Sequence, residues 1–129
     1  MSEPATILVV DDNDDNRGIL SALLQARGYR VLEARDGPTA LVLVERERPD
    51  VVLLDVMMPG MDGWEVCRTL KGHPTLGRTR VVMVTAKTAY EDKVEALRCG
   101  ADDYLEKPLD LAEVERTIQR NLDRARREP

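Results

Sequence analysis

Asp11, Asp12, Asp55 and Thr85 stand at the ends of three short apolar runs, and Lys107 at the end of a shorter, more polar one. Asp11 and Asp12 follow Ile7-Leu8-Val9-Val10, Asp55 follows Val51-Val52-Leu53-Leu54, Thr85 follows Val81-Val82-Met83-Val84, and Lys107 follows Tyr104-Leu105-Glu106. Carboxylates gathered within a few ångströms repel one another by roughly 4 kcal/mol per close pair at an effective dielectric near 20, so such a set calls for a cation. A hard divalent ion such as Mg²⁺ takes oxygen ligands, keeps several waters, and binds through one or two carboxylates plus phosphate oxygens. Asp12 and Asp55 are the expected direct ligands, with Asp11 acting through water. Lys107 offers a second cation, able to pair with a carboxylate in the empty site and with a phosphate oxygen in the loaded one. Two cations around the equatorial oxygens of a phosphoryl group supply most of what in-line transfer requires. Asp55, between the metal and Lys107, is the expected nucleophile, and its product is an aspartyl phosphate.

These side chains meet only if the apolar runs are strands of one parallel sheet, whose ligands bind beyond the carboxyl ends of the strands. The rest of the chain supplies the crossovers. Ile19, Leu20, Leu23 and Leu24 mark one face of a first helix that Gly28 ends. Residues 30–34 read as a second strand, and Asp36-Gly37-Pro38 opens a helix with Ala40, Leu41 and Val44 inward, stopped by Pro49. A tight loop at Pro59-Gly60 and Asp62-Gly63 leads to a third helix carrying Val66, Cys67 and Leu70. A fourth helix is predicted over about 89–99, with Val94 and Leu97 inward and Gly100 as its left-handed cap. After strand five, Asp110 and Glu113 form a capping box for a last helix bearing Leu111, Val114, Ile118 and Leu122.

Five strands alternating with five helices predict a doubly wound α/β sheet. Strands one, three and four are almost wholly apolar, as central strands covered on both faces must be. The flavodoxin-like order 2-1-3-4-5 puts them in the middle and opens the ligand crevice between strands one and three, flanked by Asp11, Asp12 and Asp55. Residues 1–6 read as an N-terminal extension, 7–122 as one domain, and 123–129 as a basic tail or the stub of a linker.

Charge and composition bound the partner. Nineteen Lys and Arg against 24 Asp and Glu give a formal charge of −5, which opposes broad binding to nucleic acid or to anionic membrane. A protein partner fits better. The N-terminus carries no basic and apolar leader pattern, and no apolar run approaches the roughly 18 residues of a membrane span, so a cytoplasmic location is expected. Cys67 and Cys99 have no metal-ligand spacing and His73 is the single histidine, so the cysteines read as reduced, buried thiols.

Taken in order, Val-Val-Asp11-Asp12, Leu-Leu-Asp55-Val-Met-Met-Pro59-Gly60, Asp62-Gly63, Val-Thr85-Ala86 and Gly100-Ala-Asp-Asp-Tyr104-Leu-Glu-Lys107-Pro108 resemble the response-regulator receiver domain of two-component signalling. The resemblance covers nearly the whole chain. It implies that Asp55 accepts a phosphoryl group from a sensor histidine kinase or histidine phosphotransfer protein, with Mg²⁺ held by Asp12, Asp55 and the backbone carbonyl of Met57. It also implies a switch in which the Thr85 hydroxyl moves to a phosphate oxygen and Tyr104 turns inward. The output face is then expected around the fourth helix, fifth strand and fifth helix, for a downstream protein, an output domain or a phosphorylation-dependent homodimer. In this family the side chains two after the phosphoacceptor and two after the switch residue, here Met57 and Lys87, influence the access of hydrolytic water. Because the transfer modifies the chain's own Asp55, the protein is not read as an enzyme in the ordinary sense.

Duller readings compete at each position. Asp14 and Asp15 suit the positive end of a helix. An EF-hand fails, since the sixth and twelfth positions counted from Asp12 are Arg17 and Leu23. Thr85 alone is an ordinary strand residue, Tyr104 alone is packing, Lys107 alone is a solvated loop lysine, and Met57, Met58 and Met61 are packing side chains. Trp64 lies off its helix stripe, where local packing outweighs a partner anchor. A flavin carrier of the same fold would meet repelling carboxylates where its phosphate loop belongs, and a hydrolase with an aspartyl-phosphate intermediate lacks a general acid beside Asp55. Two alternatives stay open: a receiver cut from a larger multidomain regulator or hybrid kinase, and a docking module that works without phosphorylation.

Overall fold

The computed structural model describes residues 4–85, 94–95 and 97–127. Five strands, β1 (Thr6–Val10), β2 (Arg30–Ala34), β3 (Val51–Asp55), β4 (Arg80–Thr85) and β5 (Asp103–Glu106), pair in parallel in the order β2-β1-β3-β4-β5. That is the predicted flavodoxin-like sheet. Helices α1 (Asp14–Ala26), α2 (Gly37–Glu47), α3 (Gly63–Gly72) and a C-terminal helix (Leu111–Arg127) complete it among the described residues. The predicted fourth helix lies mostly outside them, with helical residues described at 94–95 and 97–98.

β1, β3 and β4 are buried along their whole length, while β2 is mostly exposed or half-buried. Successive strand side chains point to opposite faces, so each run of branched apolar residues fills two layers at once. On one face Leu8, Val52, Leu54 and Met83 pack with Val44 of α2 and Leu70 of α3. On the other, Ile7, Leu53 and Val82 pack with Leu24 of α1 and Ile118 of the C-terminal helix.

Short polar side chains start the helices by taking orphan amides. Asn13 accepts from the Asn16 amide at 2.9 Å, Asp36 from Thr39 at 2.8 Å, and Asp62 from Glu65 at 2.9 Å. At the last helix Asp110 accepts from Ala112 at 2.9 Å, one residue earlier than a capping box at Glu113 requires. The outer elements reach past residues 7–122. Thr6 is already in the sheet, its amide held by the Asp50 carboxylate at 2.8 Å, and the last helix continues to Arg127.

Two predicted core faces are corrected. On α1 the inward line is Leu24 and Ser21, while Ile19 is 61% and Leu23 41% exposed. Their flank of the helix faces a cavity of about 310 Å³ instead of the sheet. Leu97 is 81% exposed because Cys99, at 3%, takes the inward place; two residues along a helix turn by about 200°, so the two cannot share a face.

At the amino ends of β4 and β5 a polar lattice ties four elements together. Lys71 of α3 reaches Asp102 at 2.7 Å and the carbonyls of Gly77 and Thr79 at 2.9 Å. Asp102 also accepts from the Val81 amide at 2.8 Å, and Arg120 and Asn121 of the C-terminal helix both donate to Asp103.

Candidate functional site

β1 and β3 run side by side with Val10 opposite Leu54, so the next residues, Asp11 and Asp55, leave the sheet together. Asp11, Asp12 and Asp55 each present a carboxylate oxygen within 4.8 Å of the others. Among the described residues they are the one group of three or more acidic or soft side chains so gathered. Asp12 is exposed, Asp11 half-buried and Asp55 buried at 4%.

Asp55 is held from three directions. The sheet continues beyond it through the Val56 amide, which donates to the Val84 carbonyl at 3.1 Å. The Met57 amide approaches its Oδ1 at 3.4 Å, and the Lys107 ammonium donates to the same oxygen at 3.2 Å. Burial pushes the Asp55 carboxyl above its ordinary pKa; Lys107 pulls it back, and the Asp11 charge adds to the rise. A carboxylate poised this way has lost water on most sides and keeps one cation as company.

Lys107 reaches this point through β5. Thr85 and Glu106 are register partners at the ends of β4 and β5, and the next amide, that of Lys107, donates to the Thr85 carbonyl at 2.7 Å. Thr85 itself is buried at 3%. Tyr104, three residues before Lys107, is 37% exposed at the sheet edge. Met57 turns its side chain outward at 70% exposure, so its backbone is the part that faces Asp55. Lys87 lies outside the described residues.

Two contributors escaped the sequence reading. Arg17, on the first turns of α1, donates to the Asp11 carbonyl at 2.7 Å while its other nitrogens hold Asp14 at 2.6 Å and Glu33 at 3.2 Å. Its hydrogen bond to Asp14 raises the guanidinium pKa and lowers that of Asp14. The helical spacing offered the Asp14 pair, but nothing local signals the bond to Asp11. Gly63 is the second. A Cβ there would lie 2.3 Å from the Asp55 carbonyl oxygen, so only glycine lets α3 start this close to the strand end.

The donor set is all oxygen, with no thiol or imidazole beside it, which fits a hard cation better than zinc or copper. Next to it the cavity of about 310 Å³ runs from Asp11, Asp55 and Lys107 along the apolar flank of α1 at Ile19 and Leu23. A small anionic group can therefore approach Asp55 past Lys107.

Comparison with known proteins is consistent with this geometry. The family model described as response regulator receiver domain matches residues 7–119. Response regulator PleD of Caulobacter vibrioides is 52% identical over 106 residues, 82% of this chain and 23% of that protein. Regulatory protein AtoC of Escherichia coli is 46% identical over 116 residues, 90% of this chain and 25% of that protein. The chain thus spans about a quarter of the length of these relatives. Among solved structures, chemotaxis protein CheY4 of Vibrio cholerae superposes with a TM-score of 0.87 at 36% identity, over 92% of this chain and 99% of that one. The receiver domain of a Pseudomonas aeruginosa sensor histidine kinase, with a magnesium ion coordinated in its active-site cleft, superposes at 0.86 with 34% identity, over 93% and 98%. With the acidic set, the sheet order and the sequence match all in register, the chain belongs to the response regulator receiver domain family.

Proposed function

We propose that Asp55 accepts a phosphoryl group from the phosphohistidine of a sensor histidine kinase or a histidine phosphotransfer protein. The observation that carries this reading is the Lys107 ammonium 3.2 Å from Asp55 Oδ1, beside three carboxylates within 4.8 Å of one another. An Asp55 oxygen attacks phosphorus, the phosphorus–nitrogen bond breaks, and the imidazole leaves with a proton. Lys107 follows the charge from the carboxylate to the phosphoryl oxygens. Asp12, Asp55 and the Met57 carbonyl would hold Mg²⁺, with Asp11 acting through water. When bound, the ion supplies neutralising charge for the incoming oxygens.

The phosphoryl group then gives Thr85 and Lys107 new charge-assisted hydrogen bonds. Thr85 moves to a phosphoryl oxygen, and Tyr104, exposed at the edge, turns in behind it. Reversing a population from 1:99 to 99:1 requires about 5.5 kcal/mol of preference for the active state, a sum that a few such bonds and one buried aromatic can approach. The switched face, around the fourth predicted helix, β5 and the C-terminal helix, addresses a downstream protein, an output domain or a second copy. Met57 and Lys87 set how fast water removes the phosphoryl group, bulk at the first and length at the second slowing it. The reaction ends on the chain's own side chain and does not turn over an external substrate. Among the described residues no helix is long and apolar enough to cross a membrane, and a cytoplasmic setting belongs to this reading.

Incubating the protein with acetyl phosphate and Mg²⁺ tests the proposal by intact mass. One phosphoryl adduct is expected, absent in Asp55→Asn and absent with EDTA. Equal labelling of Asp55→Asn would overturn it.

A further inference from the structure

Cys67 of α3 and Cys99, just ahead of Gly100, are the chain's two cysteines, and the chemistry at Asp55 uses neither. They lie 32 residues apart in sequence, yet the Cys67 thiol donates to the Cys99 carbonyl oxygen at 3.4 Å. Neither is in a disulfide and both are buried, Cys67 completely and Cys99 to 3% exposure. The Cys67 sulfur thus lies against the backbone of Cys99, which brings the two separate segments within the short reach that a disulfide requires.

The surroundings of the two thiols differ. The hydrogen bond from Cys67, the Ala101 amide and the Arg68 guanidinium favour a thiolate at Cys99, lowering its pKa against the effect of burial. The same shared hydrogen bond and burial hold Cys67 as the thiol. A buried cysteine in purely apolar surroundings is inert, whereas a thiolate stabilised by amide and guanidinium groups is a nucleophile. Close burial also shapes the outcome. A bulky thiol such as glutathione has no room at either sulfur, and pairing with another chain is blocked, which leaves the neighbour as the available partner.

We propose that Cys67 and Cys99 form a peroxide-responsive dithiol that closes to an intramolecular disulfide, tying α3 to the segment that enters β5. The Cys99 thiolate attacks one oxygen of hydrogen peroxide; the O–O bond breaks, hydroxide leaves and takes a proton, and Cys99 becomes the sulfenic acid. Cys67 sulfur then displaces the sulfenic hydroxyl as a second water, giving up its proton as the S–S bond forms. Two thiols are oxidised and one peroxide is reduced to two waters. Disulfides in reducing compartments are usually transient and sensory, and this one would close a covalent loop that contains β4 and Thr85.

The test treats the complete folded chain with hydrogen peroxide, then alkylates with N-ethylmaleimide in denaturant. Expected are the loss of two hydrogens from the intact mass, no maleimide uptake, a linked Cys67–Cys99 peptide, and return of both thiols with dithiothreitol. In Cys67→Ser the sulfenic acid should accumulate at Cys99 and be trapped by dimedone, because no second thiol remains to displace it. Two maleimide adducts after a peroxide dose that oxidises the urea-unfolded chain would overturn the proposal. So would a disulfide found only between chains. The wild-type arms need no variant, so a substitution that unfolds the protein does not blunt the experiment.

Discussion

Lys107 Nζ and Asp55 Oδ1 are 3.2 Å apart, joining a side chain 31% exposed to one only 5% exposed. The pair spans the sheet from the end of β5 to the end of β3, and its cationic half is the one that water can reach. Lys107→Ala therefore removes a positive charge from the acidic crevice without opening a core cavity. Mg²⁺ should bind more tightly in the variant, because the competing charge is gone, while phosphoryl uptake from acetyl phosphate should slow by about a hundredfold, the worth of one lost donor to developing charge. A Mg²⁺ titration followed by the fluorescence of Trp64, the single tryptophan, and a mass-based uptake rate check the two directions.

Burial raises the Asp55 pKa above its ordinary value. A carboxyl whose pKa is higher folded than unfolded contributes stability that is complete below the unfolded value and is lost as pH rises through the folded one. At neutral pH the ionised Asp55 is thus a cost. In EDTA, Asp55→Asn should melt higher than the parent at pH 7, and the gap should shrink to nothing as the pH falls below about 4. A pH series of thermal melts decides it; a gap that widens on acidification would contradict the sign.

Gly63 and Gly18 should respond to alanine in opposite ways. At Gly63 the new methyl meets the Asp55 carbonyl at 2.3 Å, whereas at Gly18, inside α1, nothing lies within 4 Å. Gly63→Ala is expected to cost about 1–3 kcal/mol, and Gly18→Ala to gain about 0.5–1 kcal/mol by favouring the helix. Urea midpoints with unchanged slopes would report both.

Arg17 fixes the backbone of Asp11 by a fork that also grips Asp14 and Glu33. Arg17→Lys keeps the charge and loses the fork. Mg²⁺ affinity should fall by roughly tenfold, as expected when an outer partner of a ligand is removed, with little change in melting temperature. An unchanged Mg²⁺ titration would assign Arg17 to stability alone.

The sheet was legible because its three central strands are uninterrupted apolar runs, a pattern that burial on both faces imposes, and because each run ends on a polar residue. Asp11, Asp12, Asp55 and Lys107 could be gathered from that fact and the handedness of the crossovers. The faces of α1 and of residues 94–99 were not legible. Helical spacing says that Ile19 and Leu23 share a flank, or that Leu97 opposes Cys99, but only packing decides which flank meets the sheet and which meets the cavity. Arg17 was hidden for a related reason, since its three partners come from the loop after β1, from α1 and from β2. Gly63 stood within a recognised loop, yet its necessity is a distance to the carbonyl of Asp55 at the end of β3.

Parallel strands send Asp11, Asp55, Thr85 and Lys107 to one rim of the sheet, while ion pairs and hydrogen bonds tie the elements together at the opposite rim. There Lys71, Asp102, Asp103, Arg120 and Asn121 act as rivets between α3, the starts of β4 and β5, and the C-terminal helix. Sites that share no partners combine nearly additively. Loosening a rivet should therefore shorten the life of the folded molecule while leaving the selectivity of its crevice intact, and durability and reactivity become separately adjustable in this chain.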